Sequence, residues 1–246
     1  MNLEKKKFFI IIQARLNSNR LKGKILKKID NKEILSIMID RLKKFKNKLK
    51  INISKKNSKK IINLCKKKRV KYFLGSDLNV LKRYYECARF FKARNIVRIP
   101  SDCPLIDPTV IEKGLNIFFK NDYDYVTNLS PPTYIDGNDV EIMDYKTLKE
   151  MHLKATSKMD REHVTTYLRK NLNNYKYKNF KSKKNNSSKF RLTLDYKEDL
   201  EVIKSIVINL GIHVKYIKIL NFLKKNKKIS LLNKKYIGTM WYQKKL

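Results

Sequence analysis

The stretch FFIIIQARLNSNRLKGK, residues 8–24, decides the fold. It begins with an apolar run at residues 8–13, which is typical of a strand buried on both faces of a parallel sheet. A polar loop, residues 13–24, follows at once. Residues 33–46 then place apolar side chains at helical spacing, and residues 49–53 predict a second strand. Together these segments predict one βαβ unit.

Helices and strands keep alternating up to residue 128. Helices are predicted near 57–69, at 77–92 and at 108–121, and strands at 70–74, 95–99 and 124–127. The alternation contains no internal sequence repeat. It therefore predicts an α/β fold with an open, mostly parallel twisted sheet and helices on both faces.

The pattern changes after residue 128. Residues 130–144, SPPTYIDGNDVEIMD, contain loop formers and then a short alternating strand, which predicts a small inserted subregion facing a substrate. Beyond it we expect helices near 145–155 and 160–172, a mobile polar loop at 181–189, a strand at 190–194 and a helix at 197–210.

The composition favours one folded domain of 246 residues, with 42% hydrophobic residues to build a core. The N-terminal apolar run is too short for a signal peptide, and no apolar stretch approaches the roughly 18 to 20 residues that span a bilayer. Cys65, Cys87 and Cys103 show neither metal-ligand nor disulfide spacing. We therefore expect a cytoplasmic protein of a reducing compartment with no membrane partner.

The formal net charge of +37 raises the alternative of a nucleic-acid-binding module. The basic residues are spread over nearly every segment, however, and the lysine-rich stretches are also rich in Asn and Ile, as AT-rich codons produce. We favour compositional drift and expect no specific nucleic-acid partner.

The polar loop 13–24 carries the chemistry expected of a phosphate site. It concentrates Arg15, Arg20, Lys22 and Lys24 just past the carboxyl end of the first strand, where open α/β sheets bind their ligands. An Arg guanidinium can hold two phosphate oxygens at once. The only glycine in the loop is Gly23, which excludes a Walker A loop and the dinucleotide-binding glycine motif. A basic surface loop is the alternative interpretation.

This loop resembles the N-terminal signature of the cytidylyltransferases that make CMP-activated acid sugars, in particular the branch of the spore coat polysaccharide biosynthesis protein SpsF. Asn17 and Lys22 stand where that branch usually has Gly and Pro. The matching residues are Gln13, Ala14, Arg15, Ser18, Arg20, Leu21, Gly23 and Lys24, and further similar segments lie at 75–88, 98–111, 124–128, 133–143, 161–169 and 194–203.

The resemblance implies a nucleotide-diphospho-sugar transferase-like fold and transfer of CMP from CTP to a sugar acid, with release of pyrophosphate, for polysaccharide biosynthesis. It implies a nucleotide-binding half at 8–128, an acceptor-binding and metal-completing half at 129–224 and a basic tail at 225–246, in a chain that forms a homodimer. The implied nucleotide contacts are Gln13, Ala14, Arg15, Ser18, Arg20, Lys24 and Ser101, with Arg15, Lys24 and Asp102 as catalytic residues. The implied acceptor contacts are Asp136, Asp139, Glu141, Arg161, Glu162 and His163.

Two carboxylates are the implied ligands of Mg²⁺. Asp102 follows the strand 95–99, and Asp195 is expected to close the strand 190–194. Asp195 could also cap the helix 197–210, and one carboxylate can serve both roles. Since two carboxylates at an empty metal site repel each other, replacing either by Asn is expected to change folding little. Asp107, which precedes Pro108, is interpreted as a helix cap.

Two other enzyme functions compete with this interpretation. A nucleotidyltransferase with another nucleotide, or with a phosphonate or polyol phosphate as acceptor, would share the fold and the loop. A glycosyltransferase is less favoured, because it would normally offer a DxD metal motif, and SDCP at residues 101–104 is not one.

Overall fold

A seven-stranded mixed sheet forms the centre of the protein in a computed structural model, which describes residues 2–239. Numbered in chain order, its strands are β1 (Phe9–Ala14), β4 (Leu49–Ser54), β5 (Lys71–Gly75), β6 (Asn95–Pro100), β7 (Tyr125–Thr127), β8 (Glu141–Asp144) and β9 (Tyr177–Asn179). Their order is β5-β4-β1-β6-β8-β7-β9. Only β8 runs against the others, so the predicted open, mostly parallel sheet is confirmed.

Helices cover both faces of this sheet. Ile10 and Ile12 of β1 pack into one apolar cluster, and Ile11 packs into another on the opposite face. This alternation explains why the first strand reads as a continuous apolar run. The helices are α1 (Ile34–Arg41), α2 (Lys59–Lys68), α3 (Val80–Phe90), α4 (Pro108–Lys120), α5 (Tyr145–Lys154), α6 (Lys158–His163), α7 (Thr166–Lys170), α8 (Lys197–Leu210), α9 (Tyr216–Lys225) and α10 (Lys227–Leu231).

The strand β8 lies inside the sheet, between β6 and β7. Ile142 is paired with Val97 on one side and with Val126 on the other. The chain therefore leaves the sheet after β7, forms the loop 128–140 and returns in the opposite direction. A small hairpin of β2 (Lys28–Ile29) and β3 (Lys32–Glu33) stands apart from the main sheet.

The structure corrects three local predictions. The strand predicted at 190–194 is wrong: within the described chain, this segment makes one isolated bridge, between Asp136 and Arg191. The helix predicted at 160–172 is divided at Val164, whose φ of 62° cannot continue a helix. The helix predicted at 33–46 ends at Arg41 and continues as a 3-10 turn, Lys43–Lys48.

The polar loop at 181–189 is packed against the protein. Asn186 and Ser187 are buried, and the backbone N–H of Asn186 donates to the carbonyl of Thr133 at 2.9 Å. The backbone N–H of Ser182 donates to the hydroxyl of the same threonine at 2.8 Å. The prediction of a mobile loop therefore does not fit these contacts.

The predicted basic tail begins within α9 and contains α10 and a 3-10 turn, Lys234–Tyr236. The Trp-Tyr pair at 241–242, part of that predicted tail, lies outside the described residues. Among residues 2–239, no helix combines the length and the apolar character needed to cross a bilayer.

Candidate active site

The loop after β1 brings a lysine between two carboxylates at the carboxyl edge of the sheet. The Nζ atom of Lys24 lies 3.1 Å from Asp102 Oδ2 and 2.8 Å from Asp195 Oδ1. Arg20 reaches the same oxygen of Asp195 with Nη2 at 2.9 Å. The structure thus assembles Arg20, Lys24, Asp102 and Asp195 in one place, as the sequence predicts.

Gly23 shapes the loop that carries Lys24. Its φ of 61° and ψ of 22° lie in the left-handed region, and a 3-10 turn, Lys24–Leu26, follows directly. Its N–H donates to the carbonyl of Leu16 at 3.1 Å, which closes the loop on itself. Leu21, which lies between Arg20 and Lys24 in the loop, is buried and packs into an apolar cluster, which fixes this part of the loop.

The electrostatics of this cluster favour the charged forms of Lys24 and Asp102. Burial lowers the pKa of Lys24, but the charges of Asp102 and Asp195 outweigh that effect and raise the pKa above its usual value. Burial raises the pKa of Asp102, while the ammonium of Lys24 lowers it, with a net shift downward. The two carboxylates are therefore paired with a cation, and the predicted repulsion between them does not describe this site.

Asp195 is fully buried and does not close a strand. It also does not cap α8: the cap residue is Tyr196, and the capping carboxylate is that of Asp199. Asp199 Oδ2 accepts from the backbone N–H groups of Asp195 at 2.9 Å and Tyr196 at 3.0 Å. The carboxylate of Asp195 is thereby directed toward Lys24 and Arg20.

Arg191 is one of the site residues that the sequence analysis missed. Its guanidinium is fully buried and bridges Asp136 at 2.8 Å, Asp195 at 3.1 Å and Asp199 at 3.0 Å. Burial lowers its pKa, but these three carboxylates raise it above its usual value. A signal existed in the sequence, since a single arginine in an apolar run needs buried anionic partners.

Three polar side chains, on the neighbouring strands β1 and β4 and on α3, have buried atoms without a partner in the described part of the chain. Gln13 Oε1, both amide atoms of Asn52, and Nε and Nη2 of Arg83 have no hydrogen-bond partner among the described residues. Gln13 and Asn52 are register partners, and Arg83 packs against Gly75, where an added Cβ would lie 2.6 Å from its side chain. Burial, with a contribution from Arg15, lowers the pKa of Arg83 to about 10. Unsatisfied buried groups of this kind need a partner to offset their desolvation.

The helix α6 lies next to the loop 13–24. Glu162 Oε1 lies 3.7 Å from Arg15 Nη2, with both side chains partly exposed. Burial lowers the pKa of His163 below its usual value. The charges of Arg98, Arg15 and Arg20 lower the pKa further, and the charge of Glu162 raises it. Arg161 is exposed, and its Nε donates to the carbonyl of Ala155 at 3.4 Å.

The acidic residues of the segment 136–141 lie inside the protein. Asp136 accepts from Arg191 and, at 2.5 Å, from the hydroxyl of Thr193. Gly137 has a φ of 102°, and a Cβ there would lie 2.7 Å from the carbonyl carbon of Leu192, so glycine permits this close approach. Asp139 Oδ1 accepts from the Gly137 N–H at 3.3 Å.

Glu141 has a position different from the predicted acceptor contact. It is completely buried in β8, where it is ion-paired with Arg98 of β6 and accepts from the hydroxyl of Tyr125. In this structure it is ion-paired within the fold, as Asp136 is, and neither carboxylate is exposed. Of the remaining predicted nucleotide contacts, Ala14 and Ser101 are buried and Ser18 is half-buried.

Asp107 is the helix cap that the sequence predicts. Its Oδ1 accepts from the backbone N–H of Thr109 at 2.8 Å, and Oδ2 accepts from that of Tyr216 at 2.6 Å. Cys103 is fully buried, and burial raises the pKa of its thiol well above the usual value. Burial and the raised pKa disfavour a nucleophilic role for this cysteine.

Comparison with known proteins agrees with this geometry. A protein of Methanocaldococcus jannaschii is 35% identical over 228 residues, which covers 91% of this chain and 93% of that protein. The spore coat polysaccharide biosynthesis protein SpsF of Bacillus subtilis is 30% identical over 210 residues, covering 82% and 86% of the two chains.

Solved structures show the same fold. A cytidylyltransferase from Leptospira borgpetersenii matches with a TM-score of 0.88 and 32% identity, over 91% of this chain and 96% of that one. The CMP:2-keto-3-deoxy-manno-octonic acid synthetase complexed with CTP matches with a TM-score of 0.66 and 13% identity, over 83% and 99%, and shows the fold alone. The family model described as cytidylyltransferase matches residues 9–233, and this chain therefore belongs to the cytidylyltransferase family.

Proposed function

We propose that this protein transfers CMP from CTP to a sugar acid or a related sugar, with release of pyrophosphate. The observation that carries this proposal is the position of Lys24 between Asp102 and Asp195, beside Arg20. This arrangement pairs cationic donors for a triphosphate with two carboxylates for a divalent cation, at the sheet edge where ligands of such folds bind.

The residues present fit Mg²⁺. Asp102 and Asp195 already enclose a cationic nitrogen, and Mg²⁺ typically takes one or two carboxylates together with substrate phosphates. Bound there, Mg²⁺ would neutralise charge on the phosphates during transfer. With a cation bound by Asp102 and Asp195, Lys24 would be available to bind phosphate oxygens.

The reaction needs no covalent intermediate on the protein. An acceptor hydroxyl oxygen forms a bond to the α-phosphorus as the bond to the bridging oxygen breaks, pyrophosphate departs with that electron pair, and the hydroxyl proton is released. Arg15, Arg20 and Lys24 hold the triphosphate and offset the growing negative charge. Positioning and electrostatics supply most of the acceleration in such a step.

We assign the base to the buried polar groups of Gln13, Asn52 and Arg83. Their amide and guanidinium atoms offer both acceptors and donors, as the edge of cytosine requires. The acceptor is assigned to the side of α6, where Glu162 lies 3.7 Å from Arg15 and His163 follows it in the chain. The similarity to SpsF supports a role in polysaccharide biosynthesis.

The test is a pyrophosphate-release assay with each of the four NTPs against a panel of acid sugars, neutral sugars, polyol phosphates and phosphonates. We expect release with CTP and an acid sugar. Thermal melts with Mg²⁺ should show the largest stabilisation by CTP, because a ligand that binds only the native state raises its stability. Stabilisation by UTP equal to that by CTP would favour a uridylyltransferase, and release only with a phosphonate or polyol phosphate would favour the second acceptor class.

A further inference from the structure

A short segment near the C-terminus packs against the back of the candidate active site. Asn233 is only 1% exposed, although its neighbours Lys234 and Lys235 are exposed. It is the last residue that the family model matches, and the contacts of Tyr236 lie beyond that match. A buried asparagine in a basic, solvated tail requires specific polar partners.

Asn233 is connected to Asp195 by two routes. Its Nδ2 donates to Asp199 Oδ1 at 2.8 Å and to the carbonyl of Arg191 at 3.1 Å. Asp199 accepts from the backbone N–H of Asp195, and Arg191 Nη2 donates to the carboxylate of Asp195 at 3.1 Å. One amide therefore supports both groups that orient the buried carboxylate.

Tyr236 stacks on Tyr196, which in turn lies beside Arg20 of the loop 13–24. Its ring lies parallel to that of Tyr196, with centroids 3.7 Å apart and planes 6° from parallel. The guanidinium of Arg20 lies 5.5 Å from the centroid of the Tyr196 ring. The hydroxyl of Tyr236 is 3.1 Å from Glu198 Oε1, and its carbonyl accepts from Arg191 at 3.4 Å.

We propose that Asn233 and Tyr236 are positioning residues of the nucleotide site, which hold Asp195 and Arg20 in the arrangement that receives a divalent cation and a triphosphate. The inference rests on the proposed function for the identity of the ligands. Partners one step removed from a metal ligand fix its orientation, and the C-terminal segment supplies these partners from outside the sheet.

The experiment uses full-length variants: Asn233→Ala, Tyr236→Leu, the conservative Tyr236→Phe, and Lys234→Ala as the matched control from the same turn. Mn²⁺ binding is measured by electron paramagnetic resonance in the presence of CTP, and separately with inorganic triphosphate, which lacks a base. We expect Asn233→Ala and Tyr236→Leu to weaken Mn²⁺ binding about tenfold, the lower end for loss of an outer partner of a metal ligand. Tyr236→Phe keeps the stack and Lys234→Ala changes no contact described above, so both should stay within about twofold.

The outcomes separate this inference from the proposed function. Wild-type binding of Mn²⁺ by Asn233→Ala and Tyr236→Leu, with lower melting temperatures, would show mere packing and overturn the inference. Equal weakening by Lys234→Ala would also overturn it, because the effect would then be one of tail charge. If the wild type binds Mn²⁺ with triphosphate but not with CTP, and the variants weaken triphosphate binding, the proposed function fails and the positioning role stands. A wild type that binds Mn²⁺ with neither probe overturns both.

Discussion

Lys24 occupies, with its ammonium group, the place between two carboxylates that we propose for a divalent cation. A buried ammonium is costly without partners, and two carboxylate partners here offset that cost. The carboxylates are therefore more tightly integrated into the fold than their proposed role as metal ligands requires. Replacing one of them should affect both catalysis and stability.

For catalysis, we expect Asp102→Asn and Asp195→Asn each to lower turnover by about two to three orders of magnitude, by analogy with the loss of one transition-state contact. Asn preserves size but removes the charge that a hard cation needs. The measurement is steady-state turnover across a magnesium titration. A variant with the wild-type rate and the wild-type magnesium dependence would remove that residue from the metal site.

For stability, Asp102→Asn should lower the free energy of unfolding at pH 7 by about 1 to 3 kcal/mol, because it leaves Lys24 with one charged partner fewer. The pKa of Asp102 is lowered in the folded state, so its contribution is present above the unfolded value of about 3.9 and is lost as the pH falls through the lower folded value. Urea unfolding at a series of pH values checks this. A difference between variant and wild type that does not shrink as the pH falls below the unfolded pKa would contradict it.

At the scale of single elements, the pairing of β6 with β8 depends on a buried ion pair. Arg98 and Glu141 are register partners on the two strands, and each is almost completely buried. Glu141→Gln should therefore cost about 3 kcal/mol of stability, because it leaves the charge of Arg98 without its partner. Chemical denaturation measures the loss, with the exposed Glu201→Gln as control. Full stability with a raised KM for the acceptor would restore the predicted acceptor contact.

Lys50 of β4 is another buried charged residue. Its ammonium lies 4.3 Å from the ring centroid of Phe9, and burial, together with Lys71 and Lys48, lowers its pKa to about 8. A lysine whose folded pKa is below its unfolded value of about 10.4 makes stability rise with pH between these two values.

Lys50→Met should therefore raise stability at pH 7 by about 1 kcal/mol, less than the full pKa shift implies because solvent screens the charge. It should also abolish the rise in stability between pH 8 and 10. Thermal melts across that range test both effects, with the exposed Lys67→Met as control. A variant that keeps the wild-type pH profile would assign the rise to another group.

The elements also show how far the sequence predicts this structure. The helix predicted at 197–210 has those bounds in the structure, because acidic residues mark its first turn and Gly211 follows its last. The segment 190–194 has the composition of a strand, but a strand also needs a neighbour to pair with, and sequence period alone cannot supply one. The antiparallel direction of β8 could not be predicted either, because an alternating pattern is the same in both directions.

The candidate site was predictable where a family motif marks its residues, as for the loop 13–24, Asp102 and Asp195, and not where burial alone creates a contact. The loop with Arg15, Arg20 and Lys24 follows directly from its motif. The role of Arg191 could not be found from the motif, because its three carboxylate partners come from different segments. Asp136 lies in the loop 128–140, Asp195 precedes the cap residue of α8, and Asp199 lies in the first turn of α8. Burial decides its function, and burial depends on the assembled fold.

At the scale of the whole molecule, the net charge of +37 predicts binding to any polyanion rather than recognition of one sequence. We expect weak nucleic-acid binding that falls by about three orders of magnitude between 50 and 200 mM salt. Fluorescence anisotropy with oligonucleotides of different sequence measures it. Nanomolar, sequence-selective binding at physiological salt would revive the nucleic-acid-binding alternative.

The ion pair between Lys24 and Asp195 joins residues 171 positions apart in the chain. During synthesis, the phosphate loop leaves the ribosome long before the carboxylate that completes its cation site. A nascent or prematurely released chain that ends between residues 102 and 195 carries Arg15, Arg20 and Lys24 but only Asp102 of the two carboxylates. If the proposed function holds, such a chain lacks one of the two proposed metal ligands, and activity is acquired only late in translation.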